Sequence, residues 1–188
     1  SEAACAARGQ RAEDKTALDV YFAKTGDTQG VAEIVATLTG AYICHLGAVE
    51  PYPDDYHTLT EVAKRQLGEN ARSALKAVPQ ELARYDVIFL GHPVWWHTIP
   101  TPVMTFLQGA KPAGQTINPF CTHGRGGPAA SPAATRKLAP SAAVLADQQF
   151  SGGPYQEELT YFAAARSAPT PAETATNTRA SLHLDSSP

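Results

Sequence analysis

Through the middle of the chain, short apolar runs alternate with stretches that repeat apolar residues every three or four positions. Ala17 to Phe22 (ALDVYF) is apolar and β-prone and predicts a first strand. Thr25-Gly26-Asp27 then supplies a turn and a helix start, with Asp27 the candidate cap. Val31, Ile34, Val35 and Leu38 follow helical spacing as far as a stop at Gly40. Ala41 to Leu46 predicts a shorter second strand. Pro51 and Pro53 interrupt the chain, and Asp54 or Asp55 caps a helix carrying Leu59, Val62, Ala63 and Leu67. Another helical piece is expected through Leu75 to Val78. Asp86 to Leu90 (DVIFL) is the clearest strand, and its unbroken apolar character implies burial on both faces, as in a parallel sheet. Pro100 and Pro102 mark a helix start ahead of Val103, Phe106 and Leu107. Thr116 to Cys121 predicts a strand that contains an unusual Pro119, and a helix around Ala130–Leu138 and a strand around Ala142–Leu145 close the series.

The ends lack this pattern. Residues 1–16 hold no large apolar side chain, and Leu182 and Leu184 are the only ones in 163–188, so neither stretch can offset its ordering entropy by burial. The expected organisation is a disordered tail over 1–16, one domain over 17–153, and an irregular or disordered tail over 154–188. In that tail Tyr155–Phe162 is the candidate for a short closing element.

Strand–helix alternation at this spacing predicts an α/β fold whose parallel sheet is covered on both faces. Ligands of such sheets bind beyond the carboxyl ends of the strands, which directs attention to three loops: Lys24–Gln29, His92–Ile99 and Thr122–Pro128. Composition narrows what they can hold. A formal charge of −3 leaves no basic field for nucleic acid. No run of 18 apolar residues exists to span a membrane. Three scattered cysteines, Cys5, Cys44 and Cys121, do not make a disulfide scaffold and are compatible with a reducing, cytoplasmic setting.

The first loop joins a strand end to a helix start through Gly26, with Lys24, Thr25 and Thr28 beside it. Amide groups at a helix N-terminus attract anions, so it reads as a phosphate cradle, although neither the Walker A nor the GxGxxG spacing is present. An ordinary capped helix start is the competing reading. The second loop, His92-Pro-Val-Trp-Trp-His-Thr-Ile-Pro100, carries both tryptophans of the chain. One is expected in the core and the other against a flat ring. The third, Cys121-Thr-His-Gly-Arg-Gly-Gly127, exposes backbone amides suited to an anion or a heteroaromatic edge. His92, His97, His123 and Cys121 fall near the ends of two adjacent strands, but no HxxxH or CxxC spacing supports a metal site. His97 or His123 is a candidate proton donor. Cys121 and His123, two positions apart on one strand, make a nucleophile pair without a recognisable orienting partner. Cys44 reads as a buried apolar residue.

Val20-Tyr-Phe-Ala-Lys-Thr-Gly-Asp-Thr28, Tyr85-Asp-Val-Ile-Phe-Leu-Gly-His-Pro-Val-Trp-Trp96 and Pro119-Phe-Cys-Thr-His-Gly124 together resemble the flavodoxin superfamily, over roughly residues 17–152. The resemblance implies a doubly wound parallel five-stranded sheet of order 2-1-3-4-5 and non-covalent FMN. By position, Lys24, Thr25, Gly26, Asp27, Thr28 and Gln29 would hold the phosphate. Pro93, Val94, Trp95 and Trp96 would flank the isoalloxazine ring, and Thr122, His123, Gly124, Arg125 and Gly126 would meet its other side or polar edge. The chain departs from the family pattern at Ala23, where a hydroxyl is usual, and at Asp27, where asparagine is usual. A carboxylate at about 5 Å would repel a phosphate by roughly 1–3 kcal/mol. Arg125 and Pro128 also differ, and the family's closing helix is missing or atypical after Gly153. The implied function is FMN-dependent redox chemistry: electron transfer to a redox protein, or NAD(P)H-linked reduction of a quinone-like acceptor. The alternative is a flavodoxin-fold scaffold with weakened or lost FMN binding.

Overall fold

The structure is a computed structural model that describes residues 17–124 and 127–151. The tails expected over 1–16 and 154–188, with Tyr155–Phe162, lie outside the described residues, as do Arg125 and Gly126.

Six strands form one sheet: β1 (Ala17–Tyr21), β2 (Tyr42–His45), β3 (Val87–Pro93), β4 (Ala113–Thr122), β5 (Ser141–Val144) and β6 (Gln148–Phe150). Every pairing is parallel, in the order β2-β1-β3-β4-β5, with β6 also on β4. The helices between them are α1 (Asp27–Thr39), α2 (Tyr56–Gly68), α3 (Thr101–Ala110) and α4 (Ser131–Leu138). This is the parallel α/β sheet that the alternation predicts, in the doubly wound five-position order that the resemblance implies. None of these helices is long and apolar enough to cross a membrane.

β5 and β6 share the last sheet position, and Pro119 accounts for the gap between them. Leu145 N–H donates to Ile117 O, and His123 N–H donates to Phe150 O. Odd-numbered residues of β4 therefore turn their polar backbone groups toward this edge. Pro119 faces the same way with no N–H to offer, and the ladder breaks between the Ile117–Val144 and Phe120–Gln148 pairs.

In-register parallel strands sort side chains by parity. Leu18, Val20, Ile88, Leu90 and Ile117 face α3, through Val103, Phe106 and Leu107, and α2, through Leu59. Ala17, Tyr21, Val87, Phe89 and Phe120 face α1, through Val31, Ala32 and Val35. On that second face Tyr21, Gly91 and Phe120 lie side by side on β1, β3 and β4. A Cβ on Gly91 would stand 2.3 Å from Phe120 Cζ and 3.0 Å from Tyr21 Cβ, so the bare backbone is what lets the phenylalanine cross the central strand. Asp19 shares this face, fully buried on β1, and neither carboxylate oxygen has a hydrogen-bond partner. Burial pushes its carboxyl well above the usual range.

Three local expectations are corrected. Leu75–Val78 forms no helix: Lys76 N–H donates to Gly47 O, Val49 N–H donates to Ala74 O, and Leu75 bridges Ala48. Pro79 disfavours the helical region for Val78 and so opposes a helix there. Asp27 is not the cap of α1 but its first residue, and Gly26 occupies the cap position. Cys44 is buried, as expected, but is disulfide-bonded. At α2 the cap is Asp55, whose carboxylate accepts from Thr58 N–H at 2.8 Å.

Candidate functional site

Gly26 takes a left-handed conformation (φ 98°), which turns the chain from β1 into α1. No side chain caps this helix, so its first N–H groups remain available to a ligand. Thr25 Oγ1 donates to Asp27 Oδ2 at 3.0 Å, and Lys24 Nζ pairs with Asp54 at 2.5 Å. Gln29 is exposed and donates to Glu33 at 2.9 Å along the outer face of α1.

In the second loop Trp95 and Thr98 exchange both backbone hydrogen bonds, at 3.0 and 3.1 Å. The two residues between them, Trp96 and His97, both take positive φ, 47° and 63°. This is the geometry of a tight primed turn, which usually selects Asn-Gly. Forcing two bulky side chains into it costs roughly 1–2 kcal/mol each. Contacts on both sides hold it: Trp96 Nε1–H donates to Thr60 O of α2 at 2.8 Å, and Ala130 N–H, at the start of α4, donates to His97 O at 2.8 Å. Trp95 packs edge-on against Phe22 and Tyr52, with centroids 5.3 and 5.0 Å away. Trp96 is 45% exposed, with Lys64 Nζ 5.1 Å from its ring centroid.

The third loop leaves β4 at Thr122. Its hydroxyl meets that of Thr28 at 2.7 Å, and its carbonyl accepts from Val94 N–H at 3.1 Å. His123 follows, with both ring nitrogens buried and unpartnered.

These turns line one cleft of about 1030 Å³. Of the residues singled out in the sequence, Lys24, Thr25, Asp27, Thr28, Pro93 to Trp96 and Thr122 to Gly124 contribute to its walls. Gly26 shapes the turn behind the wall, and Gln29 points elsewhere. The sequence reading missed one whole side, made by Tyr56, Leu59, Thr60 and Ala63 of α2, and also the floor at Phe150. The periodicity of α2 was legible, but not which face meets the cleft. Phe150 follows a strand break that only Pro119 hinted at.

On the opposite face of β4 from Thr122, a second polar group is buried. His92 and Cys121 are register partners, and Asp147 sits in the gap between β5 and β6. His92 Nε2 is 4.0 Å from Asp147 Oδ2, beyond hydrogen-bond range. Burial lowers His92 to about 4 and raises Asp147 to about 7, with the nearby Cys121 thiol opposing the latter. Burial, then the Asp147 charge, pushes the Cys121 thiol up, which makes it a poor nucleophile. Among the described residues no group of three or more His, Cys, Asp or Glu side chains is arranged to hold a metal ion.

The cleft thus presents free helix amides and hydroxyls at one end and indole and aliphatic surface at the other. That combination suits an anion joined to a flat ring. The flavodoxin family model matches residues 16–165. No curated protein matches the chain. Among solved structures it is similar to a provisionally assigned flavoprotein of Bacteroides eggerthii, with 22% identity and a TM-score of 0.73 over 83% of this chain and 100% of that one. It is also similar to a flavoprotein of Lactobacillus acidophilus solved in complex with FMN, with 22% identity and a TM-score of 0.65 over 72% of this chain and 93% of that one. An archaeal flavodoxin follows at 14% identity and a TM-score of 0.51, over 80% and 93%. At these identities the structural likeness speaks for the fold.

Proposed function

This chain belongs to the flavodoxin family, and on that footing we propose that it binds FMN in the cleft and works as a redox protein. The observation that carries the reading is the meeting, in one cleft, of an uncapped helix start with a half-exposed indole held in a strained turn. The cleft's volume suits a mononucleotide-sized ligand. Thr25, Thr28 and the first amides of α1 would hold the phosphate, with Lys24 adding positive charge beside Asp54. Trp96 would cover the ring, and Trp95, locked against Phe22 and Tyr52, would fix the loop beneath it. The exception to this fit is Asp27, whose charge opposes a phosphate. Its carboxylate accepts the Thr25 hydroxyl, so that hydroxyl must turn away from Asp27 to donate to an anion.

When bound, FMN supplies one- or two-electron transfer. The protein's part is to hold it, shield one ring face and leave an edge open. His97, exposed on the rim, is placed to deliver a proton to a two-electron acceptor of the quinone type, with NAD(P)H as the electron source. Transfer to a protein partner needs only the exposed edge near Trp96.

The test is a flavin titration of the purified protein. Quenching of FMN fluorescence to a defined stoichiometry, with a structured visible spectrum, supports the reading. A colourless protein that ignores FMN rejects it in favour of a scaffold role. With FMN bound, anaerobic NADH or NADPH in the presence of a quinone separates reductase from carrier.

A further inference from the structure

The α2 side of the cleft carries an aromatic face that the FMN reading leaves unused. Tyr56 opens α2 directly after the Asp55 cap, and it stands 78% exposed while lining the cleft. A lone tyrosine on a surface calls for no explanation. The setting of Tyr56 is different. The exposed large apolar residues among those described are Leu38, Val49, Tyr56, Val78 and Trp96, and of these Tyr56 and Trp96 line the cleft. The two are also tied together. Trp96 Nε1–H donates to Thr60 O, and Thr60 follows Tyr56 by one turn on the same face of α2, about 5–6 Å along it. One helix thus holds two aromatic side chains at one rim.

The chemistry of this wall narrows its occupant. The groups assigned to the phosphate and the flavin ring lie on the β1–α1 turn, the start of α1 and the tryptophan loop, and none is on α2. The four α2 residues that line the cleft, Tyr56, Leu59, Thr60 and Ala63, carry no charge. Such a wall stacks a flat, uncharged ring and offers nothing to a phosphorylated nucleotide. At about 1030 Å³ the cleft stands at the upper limit of the roughly 300–1,000 Å³ of small-molecule sites, which suits two ligands side by side.

We propose that the α2 wall is the acceptor subsite, that it takes a flat, uncharged aromatic acceptor of the quinone class, and that Tyr56 selects it by stacking. The proposal rests on the FMN reading and names the second substrate of that site. Reduction of a quinone to its quinol takes two electrons and two protons. NAD(P)H gives both electrons and one proton by way of FMN and becomes NAD(P)+, and water gives the second proton. The experiment measures binding of menadione, a flat naphthoquinone, to the FMN-loaded protein by equilibrium dialysis, and FMN affinity by fluorescence titration. It compares the wild type, Tyr56→Ser and Tyr56→Phe. Loss of one aromatic stack predicts menadione binding about 2- to 13-fold weaker in Tyr56→Ser, while Tyr56→Phe, which keeps the ring, binds it like the wild type. Tyr56 is too exposed for either change to disturb the core. A wild type that binds FMN but not menadione overturns the proposal alone. So does a Tyr56→Ser protein with unchanged menadione affinity, or one whose FMN affinity falls in step, which would place Tyr56 against the cofactor. A Tyr56→Phe protein that loses as much as Tyr56→Ser overturns the stacking role. A wild type that binds no FMN overturns the underlying reading as well.

Discussion

Replacing Asp19 with valine should make this protein more stable, by an amount that depends on pH. Asp19 is fully buried on β1, flanked by Ile43 and Phe89 on the neighbouring strands, and its carboxylate has no hydrogen-bond partner. An unpaired buried polar group costs about 1–3 kcal/mol. Burying a valine in its place returns about 1.5 kcal/mol or more. The variant should therefore gain about 2.5–4.5 kcal/mol even where the wild-type carboxyl is protonated. The gain then grows with pH. A carboxyl raised above its unfolded value of about 3.9 carries its full stabilising contribution below that pH and loses it as pH rises through the raised value. Wild-type stability should fall as pH climbs above 4, and Asp19→Val should lack that component. Asp19→Asn separates the two effects, because it removes the titration but leaves a polar group unpaired. Urea unfolding of the three proteins at pH 4.5, 6 and 7.5 measures this directly. A valine variant no more stable than the wild type, or an advantage that is flat across pH, would refute the reasoning and mean that the carboxylate has found a partner.

Asp27→Asn keeps the acceptor for Thr25 and removes only the charge, so FMN should bind about 5- to 150-fold tighter by fluorescence titration, following a repulsion of roughly 1–3 kcal/mol. Unchanged affinity would show the carboxylate faces away from the phosphate. Gly91→Ala should destabilise by about 3 kcal/mol or fail to fold, since its Cβ would meet the buried Phe120 ring at 2.3 and 2.6 Å, and near-normal urea unfolding would count against the packing described. Asp147, raised to about 7, loses stabilisation as pH rises toward 7, while His92, lowered to about 4, loses it as pH falls from 6.5. The two oppose each other, so Asp147→Asn should expose the His92 component: the variant should lose stability between pH 6.5 and 4.5 by about 1–3 kcal/mol relative to the wild type. Parallel pH profiles for the two proteins would rule this out.

What the amino-acid order determined here is local and periodic. ALDVYF and DVIFL are apolar over too short a span for buried helices and too continuously for one-sided strands, so the parallel α/β class followed, and with it the end of the sheet at which folds of this class bind ligands. That one tryptophan packs inward while the other is exposed was legible, because an apolar loop after a buried strand has one side to bury and one to show. Other features required contacts between distant segments. Leu75–Val78 looks helical alone, yet its backbone hydrogen bonds go to residues 47–49. The face that α2 turns to the cleft depends on Thr60 O receiving the Trp96 indole across 36 residues. Thr122 could be placed beside Thr28 only once β4 and α1 were packed, because no spacing rule relates residues 94 positions apart. Periodicity reports which side of an element is apolar; tertiary packing decides which partner that side meets, and the cleft is built from such meetings.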